Sequence, residues 1–460
     1  MIDKSLTFDV LTAAMETGGD FAELFAENTE RSGITMINGA VEKAQWGIDY
    51  GCGLRIFDGY NAVYAYTNDT SRESLLRMAR NSAQVIGRDR AGAVSESRAV
   101  MVENIHKVEI LPSDGSKKTV TDMLRLAADA AYGYDRSVTQ TNGSYGSVIQ
   151  NVLIVNSEGL WAEDRRVRTR VSFSAVASSE DEKQTGGFSP GASRGFEFTD
   201  SLDMKRIGEE SASIAVTMLN ASLCPSGRMP VIIENGFGGV IFHEACAHSL
   251  EATSVAKNAS EFCGRLGTPI ASEIVTAIDD GTIPGAWGSV NIDDEGTKTR
   301  RNVLIEKGVL KTYLVDRLNG IKLGMESTGS SRRESYKYTP TSRMTNTYIE
   351  SGSDKQGDII KDTEYGLYAK KMGGGSVQPS TGEFNFAVTE AYIIKNGKIA
   401  EPVRGATLIG KGSEVLANID RISDNLAHEQ GMCGSASGSV PTNVGQPMIR
   451  VKELTVGGRR

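Results

Sequence analysis

The chain reads as an α+β protein, on three observations. Short apolar runs alternate with polar residues and are punctuated by glycine, the pattern of half-buried antiparallel strands. Between them lie longer stretches with apolar residues at helical spacing and cap or stop residues at their ends. The second half is mostly strands and turns, with one glycine-led helix set into it. The architecture expected is N-terminal α/β segments with antiparallel sheets, followed by a large strand-rich C-terminal domain. The 51 glycines against 11 prolines fit many turns between strands.

Taken in order, residues 5–16 form a short helix with Leu6, Val10, Ala13 and Ala14 on one side. From 21 to 67, short runs broken by glycine predict an antiparallel meander. Residues 71–86 return to helical spacing, with Gly87 as the stop. A polar linker over 88–99 closes the first domain, 1–98. The second, 99–225, holds a helix over 113–131, strands over 143–177 and a long hairpin end or mobile loop over 178–198. Asp200 then caps a helix running to about Asn220. The break at Cys224-Pro225-Ser226-Gly227 marks the start of the third domain, 226–460. There Met229–Glu234 is a strand and Gly236–Gly239 leads into the motif helix. Further strands are expected at Ile274–Ile278, Ser289–Ile292, Val303–Ile305, Val309–Val315, Phe384–Asn396 and Thr407–Ile409, with a helix at Ser413–Ala427.

Composition narrows the function. Hydrophobic residues are 39% and charged residues 23%, ordinary for a soluble globular chain. A net charge of −8 argues against nucleic-acid binding and against a basic membrane-surface patch. No apolar run approaches the ~20 residues of a membrane helix, and the N-terminus has no basic or apolar signal regions. Five scattered cysteines do not read as a disulfide framework, which points to a reducing cytoplasm.

The most informative stretch is His243-Glu244-Ala245-Cys246-Ala247-His248. It holds two of the chain's four histidines, flanking a glutamate. Two imidazoles can hold a transition metal, and a carboxylate beside one of them can take a proton from metal-bound water. The histidines stand at i and i+5, about 140° apart on a regular α-helix at about 100° per residue. A shared metal therefore requires a π-type turn or a kink between them. A catalytic site needs a third protein donor and an open position. The candidates are Cys433, His428, Cys246, Cys263, Glu251 and the pair Asp279-Asp280. Cys433 sits in a glycine-flanked stretch, Gly431–Ser435, expected to be a tight turn, with His428 at a nearby helix end. Cys246 lies only about 60° from His243 on an ideal helix, but a free cysteine in a close-packed helix is usually just buried.

Other chemistries find less support. Gly236–Gly239 has neither the Lys-Ser/Thr ending of a P-loop nor dinucleotide spacing. No Gly-x-Ser-x-Gly elbow exists for a serine hydrolase, and nothing local pairs Cys433 with a catalytic histidine. His106, in an alternating segment, reads as a surface or structural residue.

Beyond the motif, longer strings resemble the TldD/PmbA metalloprotease family. They are Gly238–Glu244 with Leu250-Glu251, Asp279–Asn291, Asp293–Thr297, Arg332–Tyr336, Arg343–Thr347, Ser439–Pro441, Val444–Pro447 and Leu454–Gly458. The likeness is dense over 226–458 and weaker in the N-terminal third, where Tyr50–Arg55 matches. It implies that His243, His248 and Cys433 bind zinc and that Glu244 is the general base. It further implies membership of the branch that keeps its metal motif, an enclosed site acting on unfolded or flexible peptides, and a homodimer or a heterodimer with a zinc-less relative. Ala247 and Ser249, where the family usually has glycine, and the altered stretch 434–438 bear on substrate preference.

The function expected is a zinc-dependent metallopeptidase in which Glu244 activates a zinc-bound water. A thiolate among the donors makes that water harder to ionise than in an all-histidine site. Peptides can be held by strand addition. Arg332-Arg333-Glu334 either steers a substrate terminus or forms a solvated charged turn. The rival classes are a peptide-binding scaffold with a structural metal and an amidase acting on small molecules.

Overall fold

A computed structural model describes residues 2–378 and 380–458. Mixed α+β architecture is what it shows, with antiparallel pairing dominant. In the N-terminal half, β1 (Phe21–Ile37), β2 (Ala40–Asp58), β3 (Asn61–Thr67), β4 (Arg98–Val100), β5 (Val138–Asn156) and β6 (Leu160–Ser178) build one sheet in the order β3-β2-β1-β5-β6-β4. The meander is present, but its strands are far longer than the glycine breaks suggest. Gly33, Gly47, Gly51 and Gly53 lie inside the strands, and Gly51 and Gly53 make room for side chains laid across the sheet. A Cβ on Gly53 would meet the Tyr64 hydroxyl at 2.0 Å.

Helices pack on this sheet: α1 (Lys4–Ala14), α2 (Arg72–Ile86), α3 (Lys117–Tyr134) and α4 (Met204–Leu219). Ser71 caps α2 and Gly87 ends it in the left-handed region. Asp203, not Asp200, caps α4; Asp200 falls in a short 3-10 turn, Phe196–Ser201. Over 178–198 the hairpin alternative holds and the mobile loop does not, because Lys183–Phe188 folds back antiparallel on β6. Strands on either side of residue 98 share the sheet, and the 88–97 segment is tied to the end of α1 by backbone bonds from Arg88 to Thr17 and Gly92 to Met15.

The C-terminal half holds an eight-stranded sheet, with Gly227–Ile233 between Tyr365–Gln378 and Ile449–Gly457. A six-stranded sheet runs Val309–Leu310, Arg301–Glu306, Ala277–Asp280, Asn346–Ile349, Gly438–Gln446 and Ala427–Ser435. The expected helix Ser413–Ala427 stops at Ala417. Ile419–Ile422 instead pairs with the Ile449–Gly457 strand, burying both isoleucines. Ser289–Ile292 is no strand; it belongs to turns joined by a bridge from Ile292 to Lys298. One large core cluster lies in this half, and it includes Val240, Ile241, Phe242 and Ala245 of α5 (Val240–Ala245).

The halves meet through buried ions. Arg55 pairs with Glu23 at 3.1 Å and Glu295 at 2.6 Å, and Arg333 reaches Glu23 at 2.7 Å. Arg166 joins Asp164 at 3.2 Å and Asp294 at 2.6 Å. Arg332 and Arg333 are therefore buried, and the solvated charged turn is ruled out for them.

Candidate metal centre

The motif helix begins where Gly236–Gly239 makes a 3-10 turn against the Gly438–Gln446 strand. Gly239 lies so close to that strand that a Cβ would sit 2.4 Å from the Gly445 carbonyl oxygen. The helix then runs only to Ala245. Cys246 leaves helical geometry at φ −130°, ψ −52°, and the chain resumes as a 3-10 turn over Ala247–Leu250. The i, i+5 spacing is thus absorbed by a kink, not a π-type turn. It brings the His243 and His248 rings to 5.1 Å between centroids, at 81° to each other.

Cys433 approaches from the other side. It lies on the Ala427–Ser435 strand, paired opposite Val440, and not in a tight turn. Its Sγ is 3.3 Å from Nε2 of His243 and 3.3 Å from Nε2 of His248. The three donor atoms lie within 4.8 Å of one another. A zinc held tetrahedrally at ordinary bond lengths separates sulfur from nitrogen by about 3.5 Å. Both sulfur–nitrogen separations lie close to that value, so the donor set suits such an ion.

Both rings are fixed from behind. His243 Nδ1 is 2.9 Å from the Thr347 hydroxyl, and His248 Nδ1 is 3.2 Å from Glu251. Each Nε2 is therefore left facing the sulfur. Arg343, fully buried, stands 3.8 Å from Glu251 and donates to the carbonyls of Cys433 and Gly438 and to the Ser437 hydroxyl. Glu244 lies beside the donors, its carboxylate 3.7 Å from His248 Nε2, and its side chain is 26% exposed.

Electrostatics favour a thiolate. Burial alone would raise the Cys433 thiol, but His243 and His248 reverse this and carry it down to about 3. Burial opposes protonation of His248, yet Glu251 and Cys433 push its pKa well above the ordinary value. A metal cation would take the place of the imidazolium proton beside the same sulfur.

The remaining candidates do not join the cluster. Cys246 is wholly buried in the core, and that burial drives its thiol pKa far up. Cys263 faces the Val255 carbonyl at 3.6 Å. His428 is on a strand, not a helix end, edge-on to Tyr348. Asp279 accepts two bonds from Thr345 at 2.7 Å, and burial lifts it to about 6. Asp280 caps the turn at Thr282. Thr347 and Arg343 were not singled out from sequence, although both lie in the string Arg343–Thr347. The signal for Thr347 is strand alternation, which puts it two residues from the Asp279 partner Thr345 on the same face. His106 is structural: it accepts from the Gly285 backbone at 3.2 Å, and burial lowers it to about 4.

Comparison with known proteins agrees with the whole-chain pattern. Models of the PmbA/TldA metallopeptidase match three segments: domain 1 over 22–86, the central domain over 110–219 and the C-terminal domain over 226–458. The Metalloprotease TldD homolog of Buchnera aphidicola (from Acyrthosiphon pisum) is 36% identical over 95% of this chain and 93% of its own. The Haemophilus influenzae Metalloprotease TldD homolog is 35% identical with the same coverage. The crystal structure of TldE from Thermococcus kodakarensis has the same fold, with a TM-score of 0.78 at 18% identity, covering 98% of this chain and 100% of that one. On these matches, this chain belongs to the PmbA/TldA metallopeptidase family.

Proposed function

We propose that this protein is a zinc-dependent peptidase that cleaves unfolded or flexible peptides, with His243, His248 and Cys433 as the metal donors and Glu244 as the general base. The observation that carries this reading is the convergence of two back-tied imidazoles on one thiolate, with a partly exposed carboxylate beside them. Thiolate plus imidazole suits zinc among the common biological metals. When bound, the ion would acidify a water and polarise the scissile carbonyl, through a fourth position that three protein donors leave open.

The chain's own groups do the rest. Thr347 and Glu251 hold the rings in the orientation the donors need. Glu244 takes the proton of the attacking water and passes it to the leaving amine. Arg343 anchors the backbone of the Cys433 strand, so the sulfur keeps its place when the peptide enters.

Glu244→Gln tests the reading. The variant should keep stoichiometric zinc by elemental analysis and lose peptide cleavage by roughly 10²-fold or more, followed by mass spectrometry. Unchanged cleavage removes Glu244 from the mechanism. Zinc in both proteins with cleavage in neither favours the scaffold reading.

A further inference from the structure

On the face of the Ala427–Ser435 strand away from Cys433 lies a cavity of about 350 Å³. Met432 lines it, and consecutive strand residues point to opposite faces. The other walls come from β1, β2, β5 and β6 of the N-terminal sheet and from C-terminal residues that include Trp287, Arg332, Arg333 and Ser439. Six arginines border it against two acids, Asp294 and Glu334. Both acids are engaged. Asp294 takes Arg166 and the Arg333 backbone, and Glu334 accepts from the Ser439 backbone at 2.7 Å.

Among the described residues, two of the cavity's four buried arginines, Arg168 and Arg332, make no ion pair, whereas Arg166 and Arg333 do. Arg168 is 6% exposed, and its Nε donates to the Trp287 carbonyl at 3.2 Å. Among the described residues its two terminal nitrogens make no hydrogen bond to protein, and the residue lines the cavity. Arg332, 3% exposed, gives one nitrogen to the Met344 carbonyl at 2.6 Å and meets no carboxylate within ion-pair distance among the described residues. Buried guanidiniums without counterions are costly, and like charges nearby add to the cost. Burial and the neighbouring Arg332 and Arg166 outweigh Asp294 and Asp164 and bring Arg168 down to about 9, and burial outweighs Asp294 and brings Arg332 down to about 10. A fold that keeps such a pair beside an open cavity has a place for an anion. Planar forks suit a carboxylate with two parallel bonds.

We propose that this cavity binds a carboxylate of the peptide substrate through Arg168 and Arg332, and so selects acidic peptides or a peptide's free C-terminus. The inference rests on the peptidase reading. One strand separates the cavity from the donor cluster, so a peptide crossing the edge of that strand reaches both within a few residues at about 3.3 Å each.

The test uses one unstructured peptide in three forms: with a glutamate and a free C-terminus, with that glutamate changed to glutamine, and with the C-terminus amidated. Binding is measured by fluorescence anisotropy on zinc-loaded Glu244→Gln protein, and KM and kcat on the wild type. Loss of one carboxylate should weaken binding roughly tenfold or more and raise KM with little change in kcat. Which modification does so identifies the source. Arg168→Gln should erase the preference, and Arg168→Lys, which keeps charge without the fork, should fall between. Arg332→Gln, at the other arginine of the pair, repeats the test should Arg168→Gln melt below the assay temperature.

Equal binding of all three peptides overturns the proposal, as does a preference untouched by both glutamine variants. Cleavage without preference sinks the carboxylate site alone. Preference in binding without cleavage supports the site and sinks the peptidase reading instead.

Discussion

At the level of single residues, the two cysteines nearest the motif histidines in sequence and in space have opposite fates. Cys246 is close in sequence and points into the core; Cys433 is distant and shares its sulfur with both rings. Cys433→Ala should therefore abolish zinc retention, whereas Cys246→Ala should keep the metal and lose only some stability to the cavity it leaves. Elemental analysis of both variants beside the wild type decides the assignment, and metal loss in the Cys246 variant alone would reverse it. The histidines and the glutamate were legible from their rarity and spacing. Cys433 was legible only through family likeness, since six candidates competed on chemistry alone. Thr347 and Arg343 were not singled out because their roles arise from strand pairing far from the motif.

Among the elements, the kinked helix governs the site. Spacing required a distortion between His243 and His248, and the structure supplies it by ending α5 at Ala245 and starting a 3-10 turn. What sequence could not show is why the helix lies where it does. Gly239 permits its first turn to touch the Gly445 backbone. Gly239→Ala should push helix and strand apart, cost about 1–3 kcal/mol, and loosen the histidines from the sulfur. Lower melting temperature together with faster zinc loss to a chelator is the expected result; an unchanged protein would mean the helix start is compliant. Helical periodicity located α1 to α4 well because each has an amphipathic face. It failed at Ser413–Ala427, where a six-residue helix gives way to strands whose burial depends on partners elsewhere in the chain.

Across the whole molecule, the buried ion network joins the two halves. Glu23 on β1 serves both Arg55 and Arg333. Glu23→Ala would leave these guanidiniums underpaired and should cost about 3–5 kcal/mol in denaturant unfolding. Glu23→Gln, which keeps hydrogen-bonding capacity, should cost less. A loss under about 1 kcal/mol for the alanine variant would show that water or repacking compensates. Such a network is hard to read in a sequence, since Arg332-Arg333 and Asp293–Glu295 look like surface charge until the sheet that covers them is placed.

The distance along the chain between the site's parts has a consequence in time. His243 and His248 leave the ribosome 190 and 185 residues before Cys433 does. At about 5–20 residues per second, that gap lasts on the order of ten to forty seconds. During it the nascent protein carries the two histidines without the sulfur that meets both rings in the fold. On the reading proposed above, in which Cys433 completes the metal site, cleavage of flexible chains would wait until translation has nearly passed through the final sheet.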